Sequence, residues 1–213
     1  MKVLFATKCW GGDYTKFLSG TFKRKIPRYP FTECWLFLNN AVPSKAFRGF
    51  SADKIIEVDD YAERTLNFFK LDKKDFNGGY VYSIAELVCL YLAKSFDYLC
   101  WIQGDCLMED SVGFVGKSIK VLEKKPHISI VSPRSEVNTW HNDLGLDQFC
   151  SDQGFVVRIK EFRQPIYNYK MPTLNQYPSH GGNSFERLVG RYLRNNNKFR
   201  RILNEYYLFH PAY

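Results

Sequence analysis

Residues 96–108 are Phe-Asp-Tyr-Leu-Cys-Trp-Ile-Gln-Gly-Asp-Cys-Leu-Met, and this stretch decides the predicted fold. The apolar run Tyr98–Ile102 is short and aromatic, which is typical of a strand buried on both faces. It ends abruptly at Gln103-Gly104-Asp105. Because ligands of open α/β sheets bind at the carboxyl ends of the strands, Asp105 is the leading candidate site residue. Gly104 leaves room for a bulky anion and a hydrated cation, although the same residues also suit an ordinary polar turn.

Composition limits the class of protein. The chain has 213 residues, of which 45% are hydrophobic and 17% aromatic, enough for one globular domain with a full core. No apolar run approaches the length of a membrane span, so we expect a soluble protein. The six cysteines form no Cys-x-x-Cys pair, which favours a reducing compartment, the cytoplasm, over a zinc knuckle or a disulfide framework. The net charge of +8 predicts an anionic partner, such as nucleic acid, an anionic membrane or a phosphorylated small molecule.

Short apolar runs alternate with helical patterns along the chain. Besides the central stretch, strands are predicted over 2–7, 32–38, 54–58 and 127–131. Helices are predicted over 14–23, 80–94, 109–124 and 185–193, and a basic polar tail follows the last helix. This alternation predicts βαβ units, and therefore a single α/β domain with a mostly parallel central sheet flanked by helices.

Common nucleotide-binding and hydrolase motifs are missing from the sequence. Gly11-Gly12 follows the first strand without the spacing of a dinucleotide-binding or P-loop motif, which argues against NAD and P-loop ATP chemistry. Neither a G-x-S-x-G elbow nor an H-E-x-x-H pair occurs. A basic protein with an acidic strand end and aromatic loops instead suits a nucleotide diphosphate that a divalent cation bridges to the protein.

Gln103-Gly104-Asp105 after an apolar strand resembles the DxD motif of GT-A glycosyltransferases, with Gln103 in place of the first aspartate. The resemblance implies a GT-A-like fold, a UDP-sugar donor and Mn²⁺ or Mg²⁺. It makes Asp105 a metal ligand and places Gly104 beside the donor. Gln103 would neighbour the ribose, a metal-bound water or a phosphate.

A second stretch, residues 151–157, is Ser-Asp-Gln-Gly-Phe-Val-Val. It is similar to the D-Q-G-L-L-N and D-Q-D-x-L-N stretches of retaining transferases in the glycogenin and galactosyltransferase group, without their closing Asn. The resemblance places Asp152 and Gln153 beside the donor sugar, to bind hydroxyls or stabilise an oxocarbenium-like transition state. In the alternative interpretation, Ser151 caps a helix and Asp152 lies in its first turn. Asp147-Gln148 has the same composition without the resemblance.

Further donor-site residues follow from the same resemblance. Those expected at the ends of the first and third strands, around the nucleotide, are Thr7, Lys8, Cys9 and Asp59 or Asp60. Tyr80 and Ser83, which follow Gly79, would face the donor. His180 would contact the metal or the diphosphate. Each of these side chains also suits a plain structural role, such as a turn residue or a core histidine.

The acceptor side is represented by residues of the second half of the chain. Glu186 would act near the acceptor, and Trp140 and Tyr167 would stack on sugar rings. A helix ion pair and core packing are the alternative roles of these side chains. If Asp152 acts beside the sugar, the anomeric configuration is retained; a base such as Asp143 or Glu186 acting on the acceptor hydroxyl would invert it.

The whole chain resembles the N-terminal glycosyltransferase domain of a chlorovirus protein that glycosylates the viral capsid. This implies part of a longer polypeptide, with a nucleotide-binding half over about 1–105 and a sugar- and acceptor-binding half over about 106–213. Rhamnose or glucose would move from UDP to a glycan hydroxyl of a glycoprotein in the host cytoplasm, without a membrane span. A basic nucleic-acid-binding module, a nucleotidyltransferase of similar fold and a capsid-associated protein with a degenerate site stay open as alternatives.

Overall fold

The computed structural model describes residues 1–10, 31–39, 52–135, 146–165 and 184–209. Within these ranges the chain is a mixed α/β domain built on a nine-stranded sheet. Some predictions lie outside the described residues, namely those for the helix over 14–23 and for Trp140, Asp143, Tyr167 and His180.

Nine strands and five α-helices occur in the described ranges. The strands are β1 (Val3–Trp10), β2 (Glu33–Asn39), β3 (Lys54–Glu57), β4 (Tyr98–Ile102), β5 (Leu107–Met108), β6 (Ile128–Ser135), β7 (Leu146–Asp147), β8 (Gly154–Arg158) and β9 (Phe199–Phe209). The helices are α1 (Asp59–Phe69), α2 (Tyr80–Leu92), α3 (Ser111–Lys124), α4 (Ile159–Phe162) and α5 (Phe185–Asn195), and a 3₁₀ helix over Lys73–Gly79 leads into α2. The strands β1 to β4 and β6 and the helices α2, α3 and α5 confirm the predicted segments.

The strand order in the sheet is β3-β2-β1-β4-β8-β6-β9-β5, and β7 pairs with β9. The half formed by β3, β2, β1 and β4 is parallel, as predicted. The other half is mixed, because β8 runs antiparallel to both of its neighbours, β4 and β6. β8 begins at the edge where β4 ends, with Gly154 opposite Ile102, so the antiparallel pairing brings a second loop to that edge.

Both faces of the sheet are buried against helices. Alternate side chains of a strand point to opposite faces, so Leu4 and Ala6 of β1 lie in one core cluster and Val3 and Phe5 in the other. The first cluster includes side chains of α1, α2 and α5, and the second includes side chains of α3. None of the helices in the described ranges is long and apolar enough to cross a membrane.

The predicted basic tail is wrong, because the residues after α5 form the long strand β9. β9 lies inside the sheet, parallel to β6 on one side and antiparallel to β5 on the other. Its apolar alternation is interrupted by Arg200, which is fully buried, and by the exposed Asn204 and Glu205. These polar and charged residues interrupt the apolar pattern that predicts a strand, but pairing with distant strands stabilises β9 nevertheless.

Candidate active site

Two loops meet at the edge of the sheet where β4 ends and β8 begins. Asp105 lies three residues after β4, and Asp152 lies two residues before β8. The backbone N–H of Gln103 donates a hydrogen bond to the carbonyl oxygen of Gln153 at 2.8 Å, which extends the β4–β8 pairing beyond the strands. The sheet thus brings the two sequence motifs into direct contact.

Side chains around Asp152 hold its carboxylate in place. Gln103 Nε2 donates a hydrogen bond to Asp152 Oδ2 at 2.8 Å, and Lys8 Nζ lies 3.9 Å from the same oxygen. The backbone N–H of Asp152 donates to Glu186 Oε1 at 3.1 Å. The Asp152 side chain remains 21% exposed, so it is accessible to a ligand although three neighbours surround it.

The Lys8 ammonium group is directed toward α2. Lys8 Nζ lies 2.6 Å from Glu86 Oε1 and donates to the Tyr82 carbonyl oxygen, also at 2.6 Å. Glu86 is fully buried, and its Oε2 has no hydrogen-bond partner among the described residues. Burial by itself would lower the pKa of Lys8, but the attraction of Glu86, Asp152 and Asp105 outweighs burial and raises this pKa. Lys8 is therefore a charged group beneath the site.

Burial shifts the pKa values of the carboxyl groups around Lys8 upward. It raises the pKa of Glu86 to about 7, although the Lys8 ammonium partly offsets the effect. Burial, followed by repulsion from Asp152, raises the pKa of Glu186 to about 8. Burial also raises the pKa of Asp152, with a smaller contribution from Asp105, while Lys8 and Gln103 act in the opposite direction. The site thus concentrates carboxyl groups within a basic protein, which suits a cation or a polyhydroxylated ligand.

Asp105 is half-buried between the buried residues Gly104 and Cys106. The Cys106 thiol donates to Asp105 Oδ1 at 3.7 Å, and burial keeps the pKa of this thiol well above its usual range. The described residues contain no group of three His, Cys, Asp or Glu side chains placed to hold a metal ion. Mg²⁺ and similar cations are often held by one or two carboxylates together with substrate phosphates, and Asp105 fits that mode of binding.

A cavity of about 160 Å³ lies beside Asp152 and Glu186, between the first turns of α2 and α5. Its other lining residues are Gly79, Tyr82, Ser83, Ser184, Phe185 and Arg187. The Ser83 hydroxyl joins the two helices, because it donates to the Gly79 carbonyl at 2.8 Å and accepts from the Phe185 N–H at 2.9 Å. Ser83 therefore shapes the cavity, and its hydroxyl is already engaged.

The remaining predicted donor residues lie nearby with different degrees of exposure. Thr7 and Cys9 are buried in β1, whereas Asp59 is exposed at the start of α1. Tyr80 is half-buried at the start of α2, and burial, followed by the charge of Asp59, raises its pKa. The charge of Asp59 therefore acts on the Tyr80 phenol.

The helix-cap interpretation of Ser151 is wrong. Its hydroxyl accepts a hydrogen bond from the Gln153 N–H at 3.3 Å, but the strand β8 follows, because residues 154–158 pair with β4 and β6. Gln153 Oε1 is buried and has no hydrogen-bond partner among the described residues.

Glu86 is a site residue that the sequence reasoning missed. It is the only charged residue of α2, whose other twelve residues are apolar or uncharged. A lone carboxylate in an otherwise uncharged, buried helix requires a partner, and this signal could have led to a buried cation such as Lys8.

Solved glycosyltransferase structures share this arrangement of strands and helices. Staphylococcus aureus TarS (residues 1–349) matches with a TM-score of 0.53 and 10% identity, over 97% of this chain and 60% of its own. GalNAc-T7 with UDP, GalNAc and Mn²⁺ matches with a TM-score of 0.59 and 8% identity, over 99% and 44%. The mannosyltransferase PcManGT from Pyrobaculum calidifontis, solved with GDP-Man and Mn²⁺, matches with a TM-score of 0.58 and 8% identity, over 98% and 56%.

These matches define the class of fold. The chain has the fold of GT-A glycosyltransferases, as the sequence resemblance predicted, and it spans 60% and 44% of the lengths of TarS 1–349 and GalNAc-T7. No protein-family model matches the sequence, and no curated protein is significantly similar to it.

Proposed function

We propose that this chain is a metal-dependent glycosyltransferase that moves a sugar from a UDP-sugar to a glycan hydroxyl. The observation that carries the proposal is the junction of the two loops, at which Asp105 and Asp152 flank Gln103 at one edge of a GT-A-type sheet. The solved relatives bind UDP in one case and GDP-Man in another, so UDP is our choice from the sequence resemblance.

On the nucleotide side, Asp105 would bind Mn²⁺ or Mg²⁺ together with the donor diphosphate. When bound, the cation neutralises the diphosphate and stabilises the departing nucleotide. Gly104 lets the phosphates approach, and His180 is a further proposed metal or diphosphate contact. The remaining proposed nucleotide contacts, from β1, α1 and α2, are Thr7, Cys9, Asp59 and Tyr80.

On the sugar side, the cavity beside Asp152 would hold the transferred sugar. Asp152 would bind its hydroxyls or stabilise positive charge at the anomeric carbon, with Gln153 beside it. Glu186, with a pKa of about 8, holds its proton at neutral pH in the donor-free protein. This favours Asp152 as the acting carboxylate, and a retaining outcome, over activation of the acceptor by Glu186.

The biological setting rests on the sequence resemblance. We infer a domain of a longer polypeptide, with a nucleotide-binding half over about 1–105 and a sugar and acceptor half over about 106–213. It would transfer rhamnose or glucose during glycosylation of a viral capsid protein in the host cytoplasm. All six cysteines are buried thiols outside any disulfide, which agrees with a reducing compartment.

A hydrolysis assay tests the proposed function without knowledge of the acceptor. UDP-glucose, UDP-rhamnose and GDP-mannose are each incubated with the chain and Mn²⁺, and the released nucleotide is measured. We expect hydrolysis of a UDP-sugar, and a decrease of about 100-fold for Asp152→Asn. The control Asp97→Asn changes an exposed carboxylate before β4, at the opposite end of that strand from Asp105, and should leave the rate unchanged. Hydrolysis of none of the three donors would contradict the proposal.

A further inference from the structure

Gln103 occupies the position at which the DxD motif has its first aspartate, yet its side chain is bonded to protein. Gln103 Nε2 donates to Asp152 Oδ2 at 2.8 Å, across 49 positions of the sequence. We propose that Gln103 is a positioning residue, which holds the Asp152 carboxylate against the sugar cavity and contacts neither the donor nor the metal. This inference rests on the proposed function.

Two hydrogen bonds connect the same pair of loops, which makes the contact specific. The Gln103 backbone N–H donates to the Gln153 carbonyl at 2.8 Å, and the Gln103 side chain donates to Asp152. The backbone bond fixes the position of the Gln103 Cα relative to Asp152. For the amide to reach a donor or a metal, its bond to the carboxylate would have to break.

The negative charge of Asp152 favours an amide over a carboxylate at position 103. Asp152 already lies close enough to Asp105 for repulsion to contribute to its raised pKa. A carboxylate in place of the Gln103 amide would face Asp152 Oδ2 at hydrogen-bond distance, and two carboxylates so close disfavour each other's ionised forms. The amide instead donates to the carboxylate and stabilises its ionised form.

Lys8 and Glu86 complete the support of Asp152 from below. Lys8 Nζ lies 3.9 Å from Asp152 Oδ2, and the same oxygen accepts the hydrogen bond from Gln103. Glu86 and the Tyr82 carbonyl hold this ammonium at 2.6 Å each, and Lys8 is only 9% exposed. These contacts hold the ammonium beneath the cavity, where its charge stabilises the Asp152 carboxylate.

The sharpest test is Gln103→Glu, which keeps the shape of the side chain and replaces the hydrogen-bonding amide with a carboxylate. We expect a lower urea midpoint of unfolding and a decrease in kcat for UDP-sugar hydrolysis of about tenfold or more. The KM for the UDP-sugar should change less than about threefold, since the Gln103 side chain itself does not contact the donor. Gln103→Asp, which restores the DxD motif, should lose kcat likewise.

A second variant separates positioning from stability. In Gln103→Glu/Asp152→Asn the carboxylate and the amide exchange places, so we expect the urea midpoint to recover while kcat stays low. Gln164→Glu is the matched control for kcat, which it should leave unchanged, because Gln164 is an exposed amide after α4 that donates to the Lys160 and Glu161 carbonyl oxygens.

Several results would overturn the inference. One is an unchanged kcat and urea midpoint in Gln103→Glu, and another is a loss of UDP–Mn²⁺ affinity with kcat retained, which would assign Gln103 to the donor. If the wild-type chain hydrolyses no donor, the proposed function fails, and with it the functional part of this inference. The urea midpoints of the single and double variants would still decide whether Gln103 and Asp152 are paired.

Discussion

Individual carboxyl groups of the site differ in pKa because the Lys8 ammonium compensates them to different degrees. Lys8 compensates Glu86 directly, whereas Glu186 contacts the backbone N–H of Asp152 and is repelled by the Asp152 carboxylate. Glu186 therefore has the higher pKa, about 8, compared with about 7 for Glu86. Glu186 therefore gives up its proton less readily than Glu86.

The raised pKa of Glu186 predicts a pH-dependent stability. The unfolded chain has the ordinary value of 4.5, so between pH 4.5 and about 8 the folded state binds the extra proton. The contribution of Glu186 to stability is thus present below pH 4.5 and is lost as the pH rises toward 8. Glu186→Gln cannot ionise at this position. We therefore expect its free energy of unfolding, relative to that of wild type, to increase by about 1 kcal/mol or more from pH 5 to pH 8.

Urea unfolding of the metal-free protein at both pH values measures this gain. Glu109→Gln, at an exposed carboxylate, serves as the control. A difference between Glu186→Gln and wild type that stays constant from pH 5 to pH 8 would contradict the raised pKa.

The residues of the candidate site could be singled out from the sequence to different extents. Asp105 was indicated by an apolar strand ending in Gly-Asp, and Asp152 by its resemblance to a known motif. The contact between Gln103 and Asp152 was not predictable, because it depends on strand pairing between segments 49 positions apart. The burial of Lys8 against Glu86 depends in the same way on how α2 packs on β1.

At the scale of elements, three aromatic rings connect the segments that carry the site. Trp101 of β4 stacks on Phe155 of β8 with centroids 6.4 Å apart, and Phe155 stacks on Phe185 of α5 at 5.5 Å. All three rings are buried, and each lies within four positions of Asp105, Asp152 or Glu186. The stack therefore couples packing of the core to the placement of the carboxylates.

Removing the central ring should loosen all three elements. We expect Phe155→Ala to lower the free energy of unfolding by about 3–5 kcal/mol, as for other large-to-small changes in a core. Phe209→Ala is the control, because Phe209 is 44% exposed at the end of β9, and it should cost less than about 1 kcal/mol. Urea unfolding measures both, and equal losses would contradict a buried stack.

The strands that sequence reasoning identified are those with uninterrupted apolar runs, such as β2 and β4. β9 was missed because Arg200 and Glu205 interrupt its pattern, and the helix-cap alternative for Ser151 failed because β8 continues directly from it. In both cases tertiary pairing, which no local pattern reports, decided the secondary structure.

For the molecule as a whole, the class of fold was predictable and the order of strands was not. Alternating strands and helices indicated an α/β sheet, but the insertion of β8 between β4 and β6 is a long-range event. That insertion brings the loop that carries Asp152 to the edge of the sheet at which Asp105 lies. The candidate site therefore concentrates carboxyl groups in a chain whose net charge is +8.

Titration of UDP by calorimetry, with and without Mn²⁺, tests whether Asp105 forms a metal-dependent donor site, because it requires neither the sugar nor the acceptor. We compare wild type with Asp105→Asn and Asp97→Asn. These two variants change carboxylates that lie beyond opposite ends of β4. We expect Mn²⁺ to raise UDP affinity about tenfold or more in wild type and Asp97→Asn, and we expect Asp105→Asn to lose this gain. Absence of UDP binding with Mn²⁺, or a gain that survives Asp105→Asn, would contradict a donor site at Asp105.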